Sequence, residues 1–204
     1  IILPSFYGLP RSPVALRRMA LSSALAHIDE TVAFLREQLS SIPKAVVVLG
    51  SGLSQAAEQD GSVLKCLPYT AIPHFAKSTV EGHAGTLLLS EPMPGFPVAW
   101  LQGRFHPYEG YALHQVVHPI RVLRVLGAET LLVTNAAGGL DPAFQAGDLM
   151  AIADHLNMTG LNPLLGPNLD ALGPRFPDMS EPYCPVLRRV AQHIALQAGF
   201  PLHE

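Results

Sequence analysis

The stretch LQGRFHPYEGYALHQVVHPIRVLRVLGAETLLVTNAAGGL, residues 101–140, contains two polar clusters with a helical pattern and an apolar run between them. The first cluster, residues 103–110, has an arginine, a histidine, a tyrosine and a glutamate between glycines. The second, TNAAGG at residues 134–139, directly follows the apolar residues 131–133. A buried strand that runs into small residues and glycines exposes backbone N–H groups to a ligand. Those groups and the guanidinium of Arg104 together predict an anion site.

Predicted strands and helices alternate on both sides of this stretch. Apolar residues at helical spacing predict helices, and short apolar runs predict strands. The predicted helices cover residues 21–39, 111–126 and 186–199, and the second is expected to have a kink or an early turn at Pro119. The predicted strands cover residues 45–49, 86–89, 97–101, 129–133 and 149–153, with 129–133 as the central one. This alternation predicts the α/β class, with a mixed, largely parallel central sheet flanked by helices in a single domain.

The first residues differ in character from the rest of the chain. Residues 1–18 are expected to form an irregular N-terminal extension, since prolines interrupt them before Met19, a candidate natural start. Arg17 and Arg18, which precede a short apolar stretch, are a weaker match to a secretory leader. Residues 19–204 would then form the domain itself.

Composition limits the classes of function. Of the 204 residues, 49% are apolar and 14% are charged, against roughly 25% charged residues in an average soluble domain. So low a charged fraction fits a protein that buries surface in an oligomer. The net charge of -3 argues against a nonspecific nucleic-acid binder, and no apolar run approaches the roughly 18 residues of a membrane span. The isolated Cys66 and Cys184 favour buried thiols in a reducing, cytoplasmic compartment over a disulfide framework.

A second candidate phosphate site follows the strand predicted at residues 45–49. GSGLS at residues 50–54 predicts a tight turn into a helix, which would offer backbone N–H groups and the Ser51 hydroxyl to an anion. An ordinary strand–helix turn with a capping serine explains the pattern equally well. The dinucleotide fingerprint G-x-G-x-x-G fails because Gln55 stands where its third glycine is needed. A nicotinamide-dependent dehydrogenase is therefore disfavoured.

The histidines and one long loop allow more than one interpretation. His83 lies in a glycine-rich loop, where a solvent-exposed histidine is the commoner case. His114 and His118 have metal-pair spacing, but H-E-x-x-H fails at Gln115, so a solvated or capping role is favoured and no metal is expected. The polar loop over residues 162–180 is long enough to be functional or disordered.

Six stretches, in family order, resemble the purine nucleoside phosphorylases of the trimeric type. They are LGSGL (49–53), STV with GHAG (78–85), GRFH with YEGY (103–111), TNAAGGL (134–140), DH with NP and GPN (154–168), and RFP with MS (175–180). Each stretch is short, but together they are specific. The related methylthioadenosine phosphorylases resemble Thr-Thr-Ala-Cys-Gly where this chain has TNAAG, so they are the weaker match.

The resemblance implies a reversible reaction in purine salvage. A purine (2'-deoxy)ribonucleoside and phosphate would give the free base and (2-deoxy)ribose 1-phosphate. Inorganic phosphate would be a co-substrate, and no cofactor or metal is implied. The implied partners are the nucleoside, phosphate and two further copies of the chain in a cytoplasmic homotrimer, with no nucleic acid or membrane.

The resemblance also assigns residues to roles. The implied phosphate ligands are Ser51, His83, Arg104, His106 and the backbone N–H of Ala136. The implied catalytic residues are His106 and Glu109, where Glu109 would orient His106 or the phosphate network. The implied nucleoside-binding residues are Tyr108, Asn135, Ala136, Ala137, Gly138 and Phe176. Phe176 resembles the aromatic residue that reaches into a neighbouring subunit's site in the family trimer.

The chain departs from the family pattern mainly after Glu204. There the family continues with a strand, a Gly-Pro-Ser-Phe-Glu-Thr motif, and a segment with an Asn and a His that face the base and sugar. Residues 19–204 are therefore expected to form a C-terminally incomplete phosphorylase domain that phosphorolyses inosine poorly by itself. The alternative, from another class, is a noncatalytic phosphate- or nucleoside-binding subunit or remnant of the family.

Overall fold

The computed structural model describes residues 13–50, 52–58, 62–77 and 85–204. Ser51 and His83, two of the predicted phosphate ligands, lie outside these residues. The chain forms two compact units, one of residues 1–136 with 162–172 and one of residues 137–161 with 173–204. Among the described helices, none is both long and apolar enough to cross a membrane.

The first unit is built on a five-stranded sheet with the order β2-β3-β4-β1-β5. The strands are β1 (Ala45–Leu49), β2 (Val63–Pro68), β3 (Thr86–Met93), β4 (Phe96–Gln102) and β5 (Thr130–Val133). Strand β1 pairs in parallel with β4 and with β5, whereas β3 pairs antiparallel with β2 and with β4. The predicted mixed sheet flanked by helices is confirmed, and half of these strand pairs are parallel.

Strand β5 does not have the central position that the sequence predicted. It lies at the edge of the described sheet, and β1 occupies the position between the parallel neighbours. The side chains of Leu131, Leu132 and Val133 are 47%, 52% and 49% exposed. An apolar run identifies a strand but not its neighbours, because strand order depends on the connections between elements.

The main core lies between one face of the sheet and two helices, α1 (Pro13–Gln38) and α3 (His118–Leu126). Helix α1 buries Ile28, Val32 and Leu35 at the predicted helical spacing, and Leu39, directly after the helix, is also buried. Helix α3 buries Val122, Leu123 and Leu126 on the face that meets this core. Helix α1 begins at Pro13, so residues 13–18 are helical and not part of an irregular extension. Residues 1–12 lie outside the described residues.

Other predicted elements are shorter or divided. The helix predicted over residues 111–126 forms two pieces, α2 (Leu113–Val116) and α3, because Pro119 fits the first turn of a helix but not its interior. The turn after β1 leads into a single 3-10 turn, Ser54–Ala57, and not into an α-helix. Strand β2 was not predicted, and it carries Cys66, which is exposed, as is Cys184, so the expectation of buried thiols was wrong.

The second unit contains one helix and a short two-stranded sheet. Helix α4 (Pro185–Ala198) matches the prediction within one residue, and it ends at Gly199, whose φ of 76° suits a glycine. Strands β6 (Leu149–Met150) and β7 (Leu202–His203) pair in parallel, and β6 is shorter than the predicted 149–153. Asp148 contacts Nε2 of His203 at 3.1 Å.

Candidate active site

Three neighbouring strands end together at one edge of the first unit's sheet. Because β4, β1 and β5 are parallel, their carboxyl ends meet there, with Leu49 opposite Gln102 and Val48 opposite Val133. In α/β sheets, ligands bind outside the carboxyl ends of the strands. The GRFH and TNAAGG clusters and the turn at Gly50 all begin at this edge.

The guanidinium of Arg104 is fixed by two hydrogen bonds. Its Nη1 donates to the backbone carbonyl of Thr134 at 2.7 Å. Its Nε donates to Nε2 of His106 at 2.9 Å. Within the described part of the chain, Nη2 has no hydrogen-bond partner. Arg104 is half-buried. Its charge lies at this edge of the sheet, and Nη2 can donate a hydrogen bond to an anion.

His106 lies between Arg104 and a buried carboxylate. Oε1 of Glu109 is 2.7 Å from Nδ1 of His106 and accepts the backbone N–H of His106 at 2.9 Å. The side chain of Glu109 is 4% exposed, and that of His106 is 16% exposed. Since Arg104 donates to Nε2, that nitrogen accepts, and the ring proton is assigned to Nδ1, which donates to Glu109. The predicted contact between Glu109 and His106 is therefore present.

The loop that carries these residues is anchored from the core. The hydroxyl of Tyr69 donates to the carbonyl of Gly103 at 2.8 Å, and burial raises the pKa of Tyr69, so this donor stays protonated. Phe105 is buried, and its ring makes an edge contact with Tyr69 at 5.4 Å between centroids. On the outer side, the ring of Tyr108 stacks on His106 with centroids 4.6 Å apart. The core thus sets the backbone while Tyr108, 76% exposed, stays open to a ligand.

The residues predicted to bind nucleoside fall in both units. Tyr108, Asn135 and Ala136 belong to the first unit, where the amide of Asn135 donates to the carbonyl of Ala136 at 3.2 Å. The other three belong to the second unit: Ala137, Gly138 and Phe176. The side chain of Phe176 is 86% exposed, and the guanidinium of Arg175 lies 5.8 Å from its ring centre.

Comparison with known proteins agrees with this arrangement. The family model of the phosphorylase superfamily matches residues 44–204. The chain belongs to the phosphorylase superfamily. It is 48% identical over 177 residues to purine nucleoside phosphorylase 1 of Geobacillus stearothermophilus, covering 87% of this chain and 64% of that protein. Over 174 residues it is 44% identical to purine nucleoside phosphorylase of Rattus norvegicus, covering 84% of this chain and 60% of that one.

Solved structures give the same result for the fold. Isoform 2 of purine nucleoside phosphorylase from Schistosoma mansoni, in complex with cytosine and ribose-1-phosphate, superposes with a TM-score of 0.80. It is 38% identical, and the match covers 88% of this chain and 64% of that one. This phosphorylase-superfamily chain thus spans less than two thirds of the length of each of these three proteins.

His114 and His118 do not form a metal-binding pair. His114 is exposed, whereas Nε2 of the buried His118 lies 3.2 Å from the hydroxyl of Thr31. The solvated or capping role predicted for His118 was therefore wrong. Throughout the part of the chain that the structure describes, no group of three or more His, Cys, Asp or Glu could hold a metal ion.

Sequence reasoning missed two residues of the site in this phosphorylase-superfamily chain. Thr134 belongs to the second cluster and was not assigned a role, yet it contacts Arg104 and Gly50. A Cβ at Gly50 would lie 2.8 Å from the carbonyl oxygen of Thr134 and 3.0 Å from Nη1 of Arg104. Gly50 is therefore required by close packing. The available signal was position, since both residues directly follow a strand that ends at the same edge.

Proposed function

We propose that the protein is a purine nucleoside phosphorylase of purine salvage. It would convert a purine (2'-deoxy)ribonucleoside and phosphate, reversibly, into the free base and (2-deoxy)ribose 1-phosphate. One observation carries the proposal: Arg104, His106 and Glu109 form a continuous hydrogen-bonded chain where the parallel strands end. Similarity to several proteins named purine nucleoside phosphorylase supports the choice of substrate class.

Arg104 would bind the phosphate. An arginine whose orientation is already fixed loses little freedom on binding an anion, and its fork suits two phosphate oxygens. The backbone N–H of Ala136 would add a neutral donor from the neighbouring strand end. Ser51 and His83 are proposed as the remaining ligands on the family resemblance, since both lie outside the described residues.

His106 would exchange a proton with the bound phosphate. Its Nδ1–H is held by the carboxylate of Glu109, so Nε2 is the nitrogen that can accept a proton from phosphate or return it. A buried carboxylate beside the ring stabilises the imidazolium when that proton is taken up. Bound phosphate would then replace Nε2 of His106 as the acceptor for Nε–H of Arg104.

The reaction would proceed by displacement at the anomeric carbon of the sugar. A phosphate oxygen forms a bond to that carbon while the bond from carbon to the purine nitrogen breaks and its electron pair leaves with the base. Positive charge develops on the ribose and negative charge on the base, so an anion fixed beneath the sugar stabilises the transition state. The departing base takes up a proton to become the free purine.

The remaining assignments extend this proposal to the nucleoside and the assembly. Tyr108 would contact a ribose hydroxyl, and Asn135, Ala136, Ala137 and Gly138 would line the pocket, where small side chains leave room for a flat base. The exposed Phe176 would reach a neighbouring subunit's site in a homotrimer. We also propose a cytoplasmic location and a reaction without metal or cofactor.

The test is phosphate-dependent turnover by the full-length gene product. We expect purified protein to release hypoxanthine from inosine only when phosphate is added, with ribose 1-phosphate in equal amount, and to do so equally with and without a chelator. Chromatography of the base and an enzymatic assay of the sugar phosphate measure both products. Phosphate binding without turnover would instead support the noncatalytic alternative, and release of base without phosphate would contradict a phosphorylase.

A further inference from the structure

Thr134 connects three segments at the carboxyl ends of the strands. Its hydroxyl accepts the backbone N–H of Gly50 at 2.8 Å and donates to the carbonyl of Val48 at 3.0 Å. Its own backbone N–H also donates to the carbonyl of Val48, at 3.0 Å. Its backbone carbonyl accepts Nη1 of Arg104 at 2.7 Å. One residue thus joins the end of β1, the turn that follows it, and the guanidinium.

The hydroxyl of Thr134 is used in both directions. It has a single hydrogen to donate, which goes to Val48, and one lone pair accepts from Gly50. The backbone N–H of Gly50 lies just beyond the paired residues of β1, and the hydroxyl of Thr134 supplies its acceptor. Removing the hydroxyl would therefore leave the backbone N–H of Gly50 without this acceptor.

The packing around Gly50 leaves little room for the turn to move toward β5. A Cβ there would lie 2.8 Å from the carbonyl oxygen of Thr134 and 3.0 Å from Nη1 of Arg104. The turn, the carbonyl and the guanidinium are therefore in mutual contact. A shift of Thr134 changes the position of the turn and the orientation of Arg104 together.

We propose that Thr134 is a positioning residue for the phosphate subsite. Its hydroxyl holds the backbone of Gly50, and its carbonyl holds the guanidinium of Arg104, so that this edge of the sheet is arranged before phosphate arrives. Thr134 acts through these two groups and does not contact the phosphate itself. The inference rests on the proposed function, because that function assigns Arg104 to phosphate.

A role limited to the stability of the sheet makes a different prediction. Losing a hydrogen bond at the end of β5 would lower the free energy of unfolding and reduce the amount of active protein, but it would leave both Michaelis constants unchanged. A positioning role raises the KM for phosphate and leaves the KM for the nucleoside near its original value. The ratio of the two constants therefore separates the roles.

The experiment compares Thr134→Val, Thr134→Ser and the original full-length protein in phosphorolysis of inosine. Valine keeps the shape of threonine without the hydroxyl, and serine keeps the hydroxyl. We expect Thr134→Val to raise the KM for phosphate about tenfold, with the KM for inosine changed less than about twofold. Thr134→Ser should restore the KM for phosphate to within about threefold. Equal changes in both constants, or no recovery with serine, would overturn the proposal.

Two further variants keep the outcome interpretable. Thr130→Val lies on the same strand, outside the site, and should leave both constants unchanged. Gly50→Ala places a Cβ against the carbonyl oxygen of Thr134, so it should also raise the KM for phosphate selectively. It replaces Thr134→Val if that variant fails to fold. A Gly50→Ala protein with an unchanged KM for phosphate would overturn the proposal.

Arg104→Ala separates failure of this inference from failure of the proposed function. If Arg104→Ala weakens phosphate use and Thr134→Val does not, the function stands and the positioning role is rejected. If the original protein does not turn over inosine with phosphate, the proposed function fails. Phosphate is then titrated against the original protein and Thr134→Val, following the thermal midpoint, and equal affinities reject the positioning role as well.

Discussion

Two histidines of the first unit, His106 and His118, have opposite surroundings. His106 lies between a guanidinium and the carboxylate of Glu109 at the open edge of the sheet. His118 is buried between helices and contacts the neutral hydroxyl of Thr31 at 3.2 Å. A carboxylate partner allows a ring to take up a proton, whereas burial beside neutral and basic groups keeps it neutral. The same residue type therefore lies between charged groups in one place and among neutral and basic groups in the other.

The basic groups around His118 complete the contrast. The ring of His74 lies 6.2 Å from that of His118 and stacks on His27 at 4.0 Å between centroids. The pKa of His118 is lowered to about 4, mainly by burial and then by the basic groups His74, His27, Arg121 and His114. Among these rings, the carboxylate of Glu30 contacts His74, at 2.7 Å.

The largest expected effect is at the cationic end of the His106 cluster. Arg104→Ala in the full-length protein removes the charge-assisted contact to phosphate, which is worth about 1.5–3 kcal/mol, so phosphate affinity should fall by roughly 10- to 150-fold. Titration of phosphate against both proteins measures it. Arg189→Ala, an exposed arginine on α4, serves as the control and should bind phosphate as the original does. Equal affinities for Arg104→Ala and the original would remove Arg104 from the site.

A smaller effect is expected at the carboxylate end. Glu109→Gln keeps an acceptor for Nδ1–H of His106 but removes the charge that stabilises the protonated ring. We expect kcat to fall about tenfold, because a neutral amide stabilises positive charge on the ring less well than a carboxylate does. Glu129→Gln, on an exposed side chain, is the control. An unchanged kcat in Glu109→Gln would show that the carboxylate only supports the loop.

Local sequence patterns predicted part of the site, whereas contacts between distant segments were not predictable. GRFH and TNAAGG were recognisable because polar residues and glycines directly follow apolar runs, and the core positions of α1 follow from helical spacing. The contact between Gly50 and Thr134 was not, since it joins residues 84 positions apart and depends on which strands are neighbours. The burial of His118 and the edge position of β5 depend on the same information. Spacing along the chain defines a face of an element but not what packs against it.

The last expected effect concerns stability and not turnover, and it lies at His118. In the unfolded chain this ring has an ordinary pKa near 6.5, and in the folded protein the pKa is lowered to about 4. Between those values the unfolded chain binds a proton that the folded protein does not, so stability falls as the pH is lowered from about 6.5 toward 4. Above that window the ring is neutral in both states and the contribution is fully present.

His118→Gln should remove this part of the pH dependence, because glutamine keeps a donor toward the Thr31 hydroxyl but does not titrate. We expect the original protein to lose on the order of 2 kcal/mol more than the variant between about pH 7 and pH 4.5, as the unfolding free energy in urea. His193→Gln, an exposed histidine on α4, is the matched control and should follow the original. Parallel curves for His118→Gln and the original would mean that the buried ring accepts a proton in the folded state, and the contrast with His106 would be lost.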